Sequence, residues 1–234
     1  MKRFFSIFWK LCISYVVLSL VVVIITRFIP IWITPLMIIR LVEGMFAGTW
    51  VGIRASWVPL DAVALSVQKA VIAAEDARFL SHHGVDWEAV REAQRRNERM
   101  ERLACQGKIK NRRVYGASTI TMQTVKNAFL VPSRTYLRKA LEVYFAYLVE
   151  WIWGKRRILE VYLNIIEMGS GLYGIEAAAQ HYFGKPAIAL NQREAALIAA
   201  ILPNPRRWSP ARPSRYIQRK AARIQSSMSD VALP

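Results

Sequence analysis

The sequence predicts a mainly α-helical domain carried behind a single N-terminal transmembrane helix. Three observations lead there. Residues 11–26 carry no charge, and residues 4–39 carry only Lys10 and Arg27. From Asp61 onward apolar residues recur at helical spacing, with few β-branched alternations. Glycine and proline close the periodic runs, as at Gly154, Gly169 and Pro203.

The uncharged run comes first. Residues 11–26 would span ~24 Å as a helix, and snorkelling by Lys10 and Arg27 covers most of a ~30 Å hydrocarbon core. The expected layout is an N-terminus over 1–8 and a transmembrane helix over 9–29. No small-x-small cleavage site follows the run, which argues against a removed signal peptide. Basic residues are nearly balanced across it, Lys2, Arg3 and Lys10 before and Arg27, Arg40 and Arg54 after, so charge alone does not orient it. Residues 28–39 are apolar but short and carry Pro30 and Pro35, which predicts a segment lying along the membrane surface within a 30–58 linker. Cys12 lies in the span and Cys105 far outside it, so no disulfide is expected.

A helix over 63–80 follows, carrying Glu75 near its end. Residues 91–113 hold nine Lys or Arg and three Glu with few apolar residues, the pattern of a mobile, solvated lobe. Further helices are expected over 136–153, 156–168 and 192–202, the last opened by an Asn191/Glu194 capping box. The segment 213–234 reads as a basic amphipathic tail.

The net charge of +17 requires an anionic partner, and the membrane segment favours a lipid surface or a phosphate-bearing substrate over nucleic acid. Three clusters carry chemistry. In the first, Glu75-Asp76-Ala77-Arg78-Phe79-Leu80-Ser81-His82-His83-Gly84-Val85-Asp86, an acid pair ends an apolar run, the setting in which a carboxyl is tuned as a general acid or base. His82 is expected to brace the loop and His83 to lie at the surface. Adjacent loop histidines do not face one point, and no metal-ligand spacing accompanies them.

The second cluster runs from Gly116 through Ser118 and Thr119 to Met122, Gln123, Lys126 and Asn127. Small hydroxyl residues opening a helix present free N–H groups that suit a phosphate, although the same string also serves as an ordinary cap. The third is Arg134, Arg138 and Lys139 at a helix start, where the dipole disfavours cations and Arg134 and Arg138 are four apart. Glu142 can pair with one of them. One acid leaves these bases and Lys126 unbalanced, and a bound diphosphate would balance them. Ser66-Val67-Gln68-Lys69 imitates an acylation motif with no supporting element after it, and Trp151 and Trp153 read as packing.

In order, these clusters resemble the signatures of the bacterial peptidoglycan glycosyltransferases (glycosyltransferase family 51). The match continues through Arg138-Lys139-Ala140-Leu141-Glu142, Lys155 to Asn164, Gly169 to Lys185 and Glu194 to Pro205, covering about residues 60–210. With no transpeptidase domain, the chain resembles the monofunctional biosynthetic members. The resemblance implies a lysozyme-like helical glycosyltransferase domain over 59–212, with a small membrane-facing jaw near 90–115. It also implies a cytoplasmic N-terminus, with the bulk of the chain in the periplasm on the outer face of the inner membrane.

The implied reaction is polymerisation of lipid II into β-1,4 glycan strands with release of undecaprenyl diphosphate. The resemblance makes Glu75 the general base and Glu142 the second functional glutamate, orienting the bases or helping to hold a divalent cation. Ser118, Lys126, Arg134, Arg138 and Lys139 would hold the diphosphate, and Asp76 and Gln123 would support the site. The resemblance fixes no cofactor; Mg2+ or Mn2+ are candidates to assist the diphosphate. Expected partners are lipid II, the nascent strand, inner-membrane phospholipids and cell-wall synthesis proteins, with no nucleic acid. Met122 stands where the family usually has Gln, and a packing role is expected there. Two rival readings are a lysozyme-like lytic hydrolase, which needs no cation cluster, and a basic membrane-anchored scaffold, which leaves the Glu75 motif unexplained.

Overall fold

In a computed structural model of the chain, the described residues are 2–49, 52–109, 114–133 and 135–234. Nine α-helices and a small sheet are found among them: α1 (Lys2–Phe28), α2 (Pro35–Phe46), α3 (Leu65–Glu75), α4 (Trp87–Cys105), α5 (Ile120–Phe129), α6 (Tyr136–Ile165), α7 (Ile175–Phe183), α8 (Gln192–Ile201) and α9 (Arg215–Ser227). The strands are β1 (Arg54–Ala55), β2 (Glu167–Gly169) and β3 (Leu172–Tyr173). The mainly α class is as expected.

Helix α1 is long and apolar enough to cross a membrane, and its side chains are largely bare. It begins earlier than the expected 9–29. It is not an isolated tether, because its C-terminal half runs along α6. The Ser19 and Tyr144 hydroxyls are 2.7 Å apart, and Trp153 Nε1 donates to Val23 O at 2.7 Å. Arg157 donates to Thr26 O and Ile29 O at 2.9 and 2.7 Å, satisfying carbonyls that a helix end leaves without partners. Trp153 is therefore packing as expected, but Trp151 is 81% exposed.

The 30–58 stretch is more than a linker. Thr34 caps α2 by accepting from Met37 N at 3.3 Å, and Pro35 supplies the first helical residue. Ile38, Val42 and Phe46 leave an apolar face of α2 exposed. Beyond it, β1 pairs in parallel with β3, which pairs antiparallel with β2. The Asn164 amide then clamps Val58, accepting from its N–H at 2.9 Å and donating to its carbonyl at 2.8 Å.

Around the second half of α6 the core gathers Val71, Ile72, Phe79, Ile120, Leu159, Tyr162 and Leu163. Helix α5 packs on α6, α3 on α8, and α8 on α9. The capping box of α8 forms as expected, with Asn191 Oδ1 accepting from Glu194 N and Glu194 Oε2 from Asn191 N.

Three expectations need correction. The 63–80 helix stops at Glu75, because the Asp76 side chain is claimed by the following loop and Asp76 leaves helical geometry. Gly154, with φ 73°, divides 136–165 into two helical stretches joined by a kink, as expected. The expected end of the 156–168 helix is instead strand β2. The segment from Pro213 is not a tail, since α9 buries Ile217, Ala221 and Ile224 against α8 and α3. Helix α4, in the expected jaw, buries no residue and is solvated along its length.

Candidate active site

The site is assembled where α3 ends and α5 begins. Glu75 closes α3 and Asp76 turns the chain away. Both Asp76 oxygens lie 3.0 Å from His82 Nε2, and Oδ2 also accepts from Ile120 N at 2.9 Å. One carboxylate thus pins the 76–86 loop to the first turn of α5, where the helix dipole favours an anion. Asp76 is 8% exposed with its oxygens engaged, so it supports the site from beneath. His82 braces the loop as expected, and His83 is exposed. Arg78 and Asp86 close the same loop through an ion pair at 2.8 Å.

Thr119 caps α5 by accepting from Met122 N at 3.1 Å, while its own hydroxyl donates to Gly84 O. Gly84 has φ 90°, and a Cβ there would stand 3.0 Å from the Ala146 backbone. A side chain would push the loop off α6.

This register sends Gln123 and Lys126 to one face of α5. Gln123 Nε2 donates to Glu75 Oε2 at 2.8 Å, and Tyr162 OH donates to Gln123 Oε1 at 3.4 Å. Tyr162 is fully buried, and burial first, then the charges of Glu75 and Asp76, hold its phenol pKa well above the ordinary value. It remains a donor and orients the Gln123 amide. Met122 points the other way, into a small apolar cluster with Val85 and Ala146, which is the expected packing role.

Two cavities flank this line. One, of ≈ 330 Å³, is lined by Glu75, Arg78, Asp86, Ser118 and Thr119. The other, of ≈ 440 Å³, is lined by Gln123, Lys126, Arg138, Glu167 and, from α2, Leu36 and Arg40. Gln123 lines the second cavity and bonds the carboxylate of the first.

Electrostatics differ across the divide. Burial raises the Glu75 pKa, while the Gln123 hydrogen bond and the charges of Lys220 and Lys126 oppose it. Burial, then Arg138, lowers the Lys126 pKa, with partial relief from Glu75. Among the described residues Lys126 forms no salt bridge. Thr135 caps α6, and Arg138 pairs with Glu142, which is 3% exposed. Lys139 Nζ lies 3.0 Å from Glu142 Oε2 and 3.4 Å from Ser118 Oγ.

Sequence reasoning thus named Glu75, Asp76, Ser118, Gln123, Lys126, Arg138, Lys139 and Glu142, and the fold gathers them into one connected neighbourhood, with Asp76 and Glu142 buried beneath it. Arg134 lies outside the described residues. Among these residues no group of three His, Cys, Asp or Glu side chains could hold a metal ion. Glu142 is enclosed by its two cationic neighbours, a poor fit to a metal ligand. Ser66 donates to Leu190 O at 2.8 Å, a structural contact. Arg40 and Glu167, which line the ≈ 440 Å³ cavity, and Tyr162, which orients Gln123, were missed; of these only Tyr162 carried a signal, since it lies in the Lys155 to Asn164 match.

A helical domain with a half-buried carboxylate beside a cluster of cations suits an enzyme of glycosyl transfer. Comparison with known proteins agrees. Residues 44–229 match the family model described as Transglycosylase. Three relatives named "Biosynthetic peptidoglycan transglycosylase" were found among others. The one from Rhodospirillum centenum is 52% identical over 205 residues, 88% of this chain and 82% of the relative. Those from Bdellovibrio bacteriovorus and Aeromonas hydrophila are 48% and 43% identical, covering 92% and 97% of this chain and 82% and 91% of theirs. The chain belongs to the transglycosylase family. Its matched region starts within α2 and includes α9, wider than the expected 59–212.

Proposed function

We propose that this peptidoglycan glycosyltransferase polymerises lipid II through the two cavities just described. The acceptor 4-hydroxyl enters the cavity of Glu75, and the donor diphosphate enters that of Lys126 and Arg138. The hydroxyl oxygen attacks C1 of the donor MurNAc, its proton passes to Glu75, and the C1–oxygen bond to undecaprenyl diphosphate breaks with inversion. The carrying observation is the Gln123–Glu75 hydrogen bond at 2.8 Å, which fixes the base beside the cation cavity. Preorganised charge of this kind is the largest usual contributor to such steps.

Lys126 and Arg138 stabilise the charge growing on the leaving group, while Ser118, in the wall of the Glu75 cavity, and Lys139, 3.4 Å from its hydroxyl, bind the substrate on that side. Glu142 holds Arg138 and Lys139 in place. Mg2+ or Mn2+ would accompany the diphosphate as part of the substrate, with no step routed through it.

The donor cavity shares its wall with α2, which follows the apolar helix α1. This supports a lipid-linked donor delivered from the membrane surface. We place α1 as a single-pass anchor in the inner membrane, with 1–8 cytoplasmic, the catalytic domain periplasmic and α2 in contact with phospholipid headgroups. Cell-wall synthesis proteins are the expected neighbours. The test is incubation of the purified full chain with labelled lipid II. Long glycan strands are expected; shortening of preformed glycan without synthesis would favour a hydrolase.

A further inference from the structure

Arg40, on α2, stands between two cavities. It lines the ≈ 440 Å³ cavity with Lys126 and Arg138, and a cavity of ≈ 240 Å³ with Glu43, Gly171 and Arg206. Glu167 is the other residue common to both, so Arg40 and Glu167 form the partition. Helix α2 also packs against α5, the helix that carries Lys126.

The guanidinium is only partly satisfied there. Nη1 donates to Glu43 Oε2 at 2.6 Å, within one turn of α2. Nε is buried and has no hydrogen-bond partner among the described residues; Glu167 Oε2 lies 3.7 Å away, beyond hydrogen-bond reach. Buried donors are nearly always paired, and a charged one left unpaired at a cavity wall favours an anionic ligand. Glu43 is half exposed, so its ion pair is weak and readily exchanged. A phosphoryl group accepts two N–H groups of one guanidinium at once, which neither acid does here.

We propose that Arg40 is a donor-binding residue, bringing a guanidinium from α2 to the phosphoryl groups of the diphosphate beside Lys126 and Arg138. The inference rests on the reading of the ≈ 440 Å³ cavity as the donor site. It makes the segment that follows the apolar helix α1 part of donor recognition, because the diphosphate is then held by α2, α5 and α6 together. Arg40 also lies against Glu167, the carboxylate in the wall of this cavity, and offsets a charge that would repel the donor.

The test measures the dissociation constant of inorganic pyrophosphate by titration calorimetry at fixed ionic strength, and KM for labelled lipid II, with the full-length protein in detergent. Arg40→Gln, Arg206→Gln, Lys126→Met and the double variant Arg40→Gln/Glu167→Gln are compared with wild type, and thermal unfolding confirms each fold. Arg40→Gln is expected to weaken pyrophosphate binding about ten-fold and to raise KM by a similar factor. Arg206→Gln, which alters the second cavity alone, leaves both near wild type. The double variant removes Glu167 with its cation, so it carries the readout if Arg40→Gln does not fold. It should still bind pyrophosphate roughly three-fold or more weakly than wild type, because the direct contact is gone. Wild-type binding by Arg40→Gln, full recovery in the double variant, or an equal loss in Arg206→Gln overturns the role of Arg40, while weakened binding by Lys126→Met leaves the donor cavity standing. Pyrophosphate binding that Lys126→Met does not weaken overturns both.

Discussion

Gln123 Nε2 lies 2.8 Å from Glu75 Oε2, and the other end of the same amide accepts from Tyr162. The Glu75 carboxylate is therefore held by a side chain whose direction is set from inside the core. The same residue lines the cavity of Lys126 and Arg138, so Glu75 and these cations keep a fixed separation.

Tyr162→Phe removes the donor that orients this amide and leaves Gln123 Oε1 without its buried partner. A folded variant is expected, destabilised by about 1–2 kcal/mol. The turnover number should fall several-fold while KM for lipid II changes little. Denaturant titration and initial-rate kinetics check the two parts.

Lys126 carries an ammonium disfavoured by burial and by Arg138, and a diphosphate relieves both costs. Inorganic pyrophosphate should raise the wild-type melting temperature, with the effect lost in Lys126→Met. Because its pKa is lowered, the alkaline limb of activity should lie below the ordinary lysine range. A pyrophosphate-dependent melting series and a pH–rate profile measure these outcomes.

Glu75 has a pKa raised by burial, so ionising it costs folding free energy. The advantage of the protonated group is full below the ordinary glutamate range and is lost as pH rises through the raised pKa. Glu75→Gln is neutral throughout. It should melt at higher temperature than wild type at neutral pH, with the gap closing on acidification.

Arg157→Met removes the donor to Thr26 O and Ile29 O and its ion pair with Glu160. The end of α1 should detach from α6, with a stability loss of about 2 kcal/mol. Calorimetry in detergent measures the loss, and protease cleavage between α1 and α2 should accelerate.

Local signals read well from sequence. The Asn191/Glu194 box, the break at Gly154 and the uncharged run of α1 are each set by chemistry within a few residues. The Glu75 loop was legible because its residues are contiguous. What escaped depends on distant partners. Asp76 ends α3 early because Ile120 N, far along the chain, claims its carboxylate. Glu167 looked helical but pairs as strand with β3, whose other neighbour is β1. Lys220 looked like one more base in a charged tail, because nothing in its neighbours states that α9 packs against α3. Arg40 gave no sign that α2 lines the cavity of Lys126 and Arg138.

The most direct test of the account is glycan synthesis from labelled lipid II by Glu75→Gln, measured beside its binding of the same substrate. Loss of polymer by at least ~100-fold with lipid II binding retained is the predicted result. Synthesis at near the wild-type rate by the folded variant would contradict the assignment of Glu75 as the base.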